Sequence, residues 1–301
     1  MADFRYTVTK EDNGIPVKTL LRQKFNFSSR LRTKLKYQDL VYLNGEKTAG
    51  WIVPEEGDEL SVRLPDEKSE FPMENIPITP VYEDDDLLII NKQPGIIVHP
   101  TKGHPAHTIA NGLMKYMADT NQTFKIRFVN RLDMDTSGLL IVAKNSNAQD
   151  NLSKQMRARE TEKRYIAIVN GIVDEDSFTV DLPIGRPDPE KVERGVIPVE
   201  EGGNPSVTHA KVLERFPKGS GYTMLELLLE TGRTHQIRVH MAHLGHPLVG
   251  DYLYGGYNPD LLDRQALHAF KLSFDHPATG KRLTVTCDLP EDIKQVIEKI
   301  R

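Results

Sequence analysis

Asn130-Arg131-Leu132-Asp133-Met134-Asp135-Thr136-Ser137-Gly138-Leu139-Leu140-Ile141-Val142-Ala143-Lys144 sets an arginine and two acids directly ahead of an apolar, β-branched run. That run reads as a buried strand. Thr136-Ser137-Gly138 is turn chemistry, so Arg131 and Asp133 are expected at the mouth of the strand, held by a packed scaffold. An Asp ahead of Thr-Ser-Gly also serves as a cap or turn former, and this stretch alone leaves both readings open.

The 301 residues exceed the usual single-domain size, which predicts one full domain plus a small accessory module. An apolar share of 38% and a charged share of 27% are those of a globular protein, and no apolar run approaches the ~18 residues of a membrane helix. No membrane association is expected. Met1 to Arg5 lacks the pattern of a signal peptide and the lone Cys287 has no disulfide partner, so a reducing cytoplasm is expected. The net charge of −4 argues against a uniformly basic nucleic-acid binder but hides local patches.

One such patch lies upstream. From Lys18 to Lys36 the bases Lys18, Arg22, Lys24, Arg30, Arg32, Lys34 and Lys36 occur without a single acid. Leu20, Leu21 and Phe25 have helical spacing, and Ser28 and Ser29 are natural caps for a second helix carrying Leu31 and Leu35. Val41 to Glu46 reads as a strand into an Asn-Gly turn, and Gly57 to Leu64 as a turn and closing strand. The segment is expected to run helix, helix, strand, turn, strand. Four prolines and a dense acidic series between Pro65 and Asp86 then read as an extended tether. The expected organisation is a module over 1–70, a linker over 71–85 and a main domain over 86–301.

Within that domain Leu87 to Lys92 reads as a strand, with a turn at Gln93-Pro94-Gly95 and a second strand over Ile96–Pro100. Asn147–Glu160 reads as a helix, and Lys163–Gly171 as an alternating strand with Tyr165, Ala167 and Val169 on one face. By spacing alone Tyr165 is a core or cross-strand residue. Residues 183–206 read as a long surface loop. Leu225–Glu230 is an apolar strand turning into a helix that stops at Gly245, with Ile237, Met241 and Leu244 inward and Arg238 one residue off that stripe. His235, His240 and His243 do not follow a metal-ligand spacing, so no metal is expected. Arg264–Pro277, a Thr279-Gly280-Lys281 turn and Leu283–Cys287 follow as a hairpin, and Glu291–Arg301 as a closing helix with Ile293, Val296, Ile297 and Ile300 inward.

Arg131-Leu132-Asp133-x-x-Thr-Ser-Gly-Leu-Leu resembles the catalytic motif of the RluA-type RNA pseudouridine synthases. Three further stretches are similar to that family's motifs, in order: Asp86-Leu87-Leu88 through Asn91-Lys92 to His99-Pro100, Lys163-x-Tyr165-x-Ala167-x-Val169-x-Gly171, and Thr231-Gly232-Arg233-Thr234-His235-Gln236-Ile237-Arg238-Val239-His240. The segment over 1–70 resembles an S4-type RNA-binding module. The resemblance implies an α+β fold whose catalytic domain has a central mixed, mainly antiparallel sheet with a cleft across it, preceded by that small module. It also implies isomerisation of uridine to pseudouridine in RNA, ribosomal RNA of the large subunit foremost and transfer RNA as an alternative, by a monomer without cofactor. Asp133 would be the nucleophile, Arg238 the cation holding it ionised through a bidentate pair, and Tyr165 the ring stacking on the base. Asn130 and Arg131 would touch the RNA, Arg131 filling the place of the flipped nucleotide, and Leu272 would line the base pocket. Arg22, Lys24, Arg30, Arg32, Lys34 and Lys36 would bind phosphates. Two departures stand out: Asn130 replaces the family's histidine, and Asn204-Pro205 occupies the loop position near which the family carries a lysine.

Breaking the C1′–N1 bond, turning the uracil and joining C5 to C1′ needs a carboxylate at the sugar, a cation beside it and a flat side chain against the base. Two rival readings stay open. Asp133 and Asp135 form a close carboxylate pair of the kind retaining glycosidases use, and a non-catalytic RNA-binding or ribosome-assembly factor could share the fold.

Overall fold

The computed structural model describes residues 3–25, 27, 29–64, 67–101 and 103–301; Ser28, Pro65 and the Arg30 side chain lie outside the described parts. The N-terminal segment folds as β1 (Asp3–Thr7), α1 (Val17–Gln23), α2 (Ser29–Tyr37), β2 (Val41–Leu43), β3 (Glu46–Lys47) and β4 (Glu59–Arg63). Its antiparallel sheet has the order β1-β4-β2-β3. Val17, Leu20, Leu31 and Leu35 from the helices pack on Val41, Leu60 and Val62 from the sheet, giving this segment its own core. Asn44 and Gly45 both take positive φ, as a two-residue hairpin turn requires. β1 goes beyond the expected order: five residues with alternating exposure pair with β4 from Asp3↔Arg63 onward.

The acidic stretch is more than a tether. β5 (Pro80–Glu83) pairs with β6 (Leu87–Lys92) at the edge of the main sheet, and Ile76 is already buried. Acids there meet cations and donors of the main domain: Glu83 pairs with Lys144, and Asp84 Oδ1 accepts the amides of Asp86 and Leu87 at 2.8 Å. The main domain therefore begins ahead of residue 86, inside the expected linker.

Next come α3 (Ile109–Asp119), β7 (Arg127–Phe128), β8 (Ser137–Ala143), α4 (Ser146–Arg157) and β9 (Glu162–Asn170). β10 (Ser177–Asp181), the small hairpin β11 (Ile184–Gly185) and β12 (Gly195–Val196), β13 (Val207–Phe216) and β14 (Tyr222–Leu229) lead to α5 (Gln236–His243). β15 (Leu267–Asp275), β16 (Arg282–Thr286) and α6 (Glu291–Ile300) close the chain. The main sheet runs β10-β13-β14-β9-β15-β8-β6-β5, with β16 on β15 and β7 on β8. Every pairing in it is antiparallel except β8 with β15. This is the mixed, mainly antiparallel α+β sheet expected from the sequence.

Alternation along the strands explains the layers. Leu88, Ile90, Leu140 and Val142 pack under α3, while Leu87, Ile89, Leu139 and Ile141 pack under α4. Gly138 has φ +114°, and a Cβ there would stand 2.3 Å from the Ala269 carbonyl oxygen, so only glycine lets β8 approach β15. Three expectations change. Ile96–Pro100 contributes one bridge, Ile97↔Thr108, rather than a strand. The loop over 183–206 carries the β11–β12 hairpin. In α5 Ile237 and Met241 are buried, but the helix ends before Leu244, which is 42% exposed. Among the described residues no helix is long and apolar enough to cross a membrane.

Candidate active site

The residues between β7 and β8 turn back on themselves through the Thr136 amide, which donates to the Asp133 carbonyl at 3.1 Å. This turn presents Asp133 to a broad open cleft also lined by Arg131, Tyr165, His235 and Arg238. Asp133 Oδ2 lies 3.4 Å from Arg238 Nη1 and 3.8 Å from His235 Nε2. The expected bidentate grip goes elsewhere, because Arg238 Nε and Nη2 donate to Asp251 at 2.7 and 2.8 Å. Burial works against the Arg238 charge, yet those hydrogen bonds hold the guanidinium above its ordinary value. Asp251, 0% exposed, fixes the arginine and leaves Nη1 for Asp133.

A second ring of contacts orients this group. The Arg238 guanidinium lies 5.0 Å from the Tyr254 ring centroid. Tyr254 Oη accepts the Arg194 amide and meets His235 Nδ1, each at 2.8 Å, so the loop over 183–206 touches the cluster through its backbone. His235 caps α5 with φ 58°, in the left-handed region. Burial lowers its pKa, opposed by the Asp133 charge. Tyr165 is 8% exposed, and burial followed by the Asp133 charge pushes its hydroxyl above the ordinary range. It stays a neutral ring.

On the far side of the turn stands Lys92, 0% exposed, whose Nζ donates to the carbonyls of Gln93, Ile96 and Met134 at 2.8, 2.9 and 2.8 Å. Burial pulls this ammonium down to about 7, while three carbonyl partners are satisfied only by the protonated amine. Burial pushes the Asp135 carboxyl up, and Lys92, Arg238 and Arg264 pull it back. Arg264 grips Asp292 with Nε and Nη2 and donates from Nη1 to the Asp135 carbonyl at 2.9 Å. Asp135 does not line the cleft.

The remaining candidates divide. Arg131 is exposed at the cleft lip. Asn130 also reaches the cleft, but its amide donates to the Leu139 carbonyl at 3.2 Å and accepts the Ile141 amide at 2.7 Å, so it serves the backbone of β8. Leu272 is covered by α4, packing with Leu139, Ile141 and Leu152; the β15 side chain that lines the cleft is Leu267. Of the basic segment, Lys34 reaches the cleft, 3.7 Å from Glu67, while Arg22 and Lys36 are exposed. Lys24 is exposed but engaged by its own module, 2.8 Å from Asp12 Oδ1 and over the Tyr6 ring, and Arg32 Nη2 donates to Ser29 Oγ at 3.0 Å. Among the described residues one group could hold a metal ion, Asp84, Asp86 and His276 at the β5–β6 turn, and Asp84 there is already hydrogen-bonded to Tyr82 and His276. The sequence reading missed Asp251, Tyr254, Arg264 and the enclosure of Lys92. The Gly250-Asp251 pair after Leu248-Val249 was the available signal for the first of these.

The family model for RNA pseudouridylate synthases matches residues 86–243, from the start of β6 to the end of α5. The chain belongs to that family. An RNA pseudouridine synthase of Bacillus subtilis, YlyB, is 39% identical over 100% of this chain and 99% of its own length. The ribosomal large subunit pseudouridine synthase D of Haemophilus ducreyi is 38% identical over 96% of this chain and 91% of its own. Among solved structures, human RNA pseudouridylate synthase domain containing 1 is 28% identical with a TM-score of 0.58, covering 77% of this chain and 97% of that one. The pseudouridine synthase match holds Lys92, Asp133, Tyr165, His235 and Arg238 but ends short of Asp251 and Arg264.

Proposed function

We propose that this pseudouridine synthase isomerises uridines of large-subunit ribosomal RNA, with Asp133 as nucleophile. The observation that carries the reading is the Arg238 Nη1 atom, 3.4 Å from Asp133 in a cleft that also holds the Tyr165 ring. Asp251 prevents the guanidinium from turning away, so its Nη1 stays directed at this carboxylate. The uridine leaves its stack, its base lies against Tyr165, and Arg131 enters the vacated position. The Asp133 carboxylate drives cleavage of C1′–N1; the freed uracil turns, C5 bonds to C1′, the C5 proton leaves and N1 gains one. Atoms are conserved and no cofactor takes part. Buried Tyr165 and Leu267 exclude water from the detached base.

The ribosomal assignment is supported by the names of relatives matched over almost the whole chain. The N-terminal segment acts as an S4-like module, adding phosphate contacts through Arg22, Lys34 and Lys36. The test is RNA tritiated at uridine C5, which releases tritium once per turnover, followed by mapping of pseudouridine in cellular RNA with and without the protein. Loss of pseudouridine from large-subunit ribosomal RNA is expected. Loss confined to transfer RNA overturns the substrate, and no tritium release from any RNA overturns the activity.

A further inference from the structure

Lys163 is a cation without a counter-charge. It lines the cleft and is half-buried, yet its ammonium makes no hydrogen bond or ion pair among the described residues. The other cations that line the cleft and are withdrawn from solvent are all partnered: Arg238 by Asp251, Arg127 by Glu67, Lys34 by Glu67. Arg159, nearer the solvent, bonds Glu230. Burial alone lowers the Lys163 pKa, with no carboxylate near enough to raise it. A desolvated ammonium with nothing to neutralise it lowers the stability of the free protein.

Its position says what could offset that. Lys163 and Tyr165 lie two apart on β9, so they share a face roughly 7 Å apart along the strand. Across the sheet Lys163 stands opposite Leu272, whose apolar surroundings supply no anion. Its Nζ lies against the Thr231-Gly232-Arg233 turn, 3.7 Å from where a Gly232 side chain would begin. With no side chain at 232, the ammonium is left open to the cleft.

We propose that Lys163 is the seat of an RNA backbone phosphate beside the uridine that stacks on Tyr165. The inference rests on the reading of Tyr165 as the base platform. A phosphodiester brought next to this ammonium regains the charge pairing that the free protein lacks, and it fixes the strand one step from the reacting nucleotide. The Asp133 pair handles the reacting sugar; Lys163 would hold the chain that carries it.

The experiment compares wild-type protein with Lys163→Gln, Lys163→Met and Lys163→Arg, with kcat and KM on one RNA measured from 50 to 200 mM salt. In Lys163→Gln the KM rises about tenfold while kcat moves far less, and the slope of log kcat/KM against log salt shrinks by about 0.7–0.9, the loss of one phosphate contact. Lys163→Arg restores most of both. Lys163→Met raises the thermal midpoint of the free protein, since it removes an unpaired desolvated charge. An unchanged salt slope, a loss confined to kcat, or a lowered midpoint in Lys163→Met each overturns the phosphate seat. Wild-type protein that releases no tritium instead overturns the proposed function, and the salt slope of RNA binding still decides Lys163.

Discussion

Asp133 and Asp135 are two residues apart on one turn and share a charge, but they face different surroundings. Asp133 looks into the cleft, where Arg238 offers it one long hydrogen bond of 3.4 Å and His235 Nε2 stands 3.8 Å away. Asp135 looks back toward Lys92 and Arg264, and burial pushes its carboxyl up. The arginines make the same contrast. Arg264 has both ends engaged, on Asp292 and on two carbonyls, whereas Arg238 is locked by Asp251 with one nitrogen left over. The inner cluster satisfies its donors internally; the cluster facing the cleft is held rigid with a donor directed into it.

The comparison breaks first at Asp133. Asp133→Asn keeps size and hydrogen bonding but removes the proposed nucleophile, so tritium release should fall by roughly a thousandfold or more. RNA affinity should stay within about tenfold, ~1.4 kcal/mol, because phosphate contacts dominate binding. An active Asp133→Asn protein would move the reaction centre elsewhere. Asp251→Asn tests the lock: it leaves a buried guanidinium short of its counter-charge, and urea unfolding should show a loss of about 3–5 kcal/mol. A wild-type unfolding midpoint would show that Arg238 does not depend on Asp251. Lys92→Met leaves three carbonyls without their donor but also removes a buried ammonium, so a smaller loss of about 1–3 kcal/mol is expected. If its stability is unchanged while turnover collapses, Lys92 acts in the chemistry and not in shaping the turn. Asp135→Asn sharpens the contrast from the other side, with kcat expected within about threefold, because a neutral amide suits a site where burial already disfavours charge. A collapse of turnover there would revive the carboxylate-pair reading.

Much of this was legible in the chain. The all-apolar run of β8, the Asn44-Gly45 turn and the alternation of β9 are local signals, and each appears where its period put it. Asp133, Tyr165 and Arg238 came through motif resemblance, and the fold brings all three to one cleft. What stayed hidden depends on tertiary partners. No spacing rule links Asp251 to Arg238, since the two meet through an irregular loop. Acids over 83–86 read as solvated until Lys144 and His276 are placed beside them. Lys24 reads as a phosphate ligand until Asp12 folds under it. The resemblance puts Leu272 in the pocket wall, but the packing of α4 roofs it over. The helix α3 carried no expectation, although Ile109, Leu113 and Met117 keep a helical stripe; Gly112 within it lets Ile76 pass, at 2.9 Å from a would-be Cβ.

β15 lies between β8 and β9 in the main sheet, and among the described residues it alone hydrogen-bonds to both. Asp133 leads into β8 on one side of it, and Tyr165 sits in β9 on the other. The Ser137 and His268 side chains that meet at this junction, 3.0 Å apart, are separated by 131 positions in the chain. Closing so long a loop is entropically unfavourable until the strand is in place, which puts this pairing among the slow, non-local steps of folding. During synthesis, residues 1–266 can all have left the ribosome while the strand that spaces Asp133 from Tyr165 is still missing. The proposed reacting centre is thus completed only once β15 has been made, when every motif of the site is already present in the nascent chain.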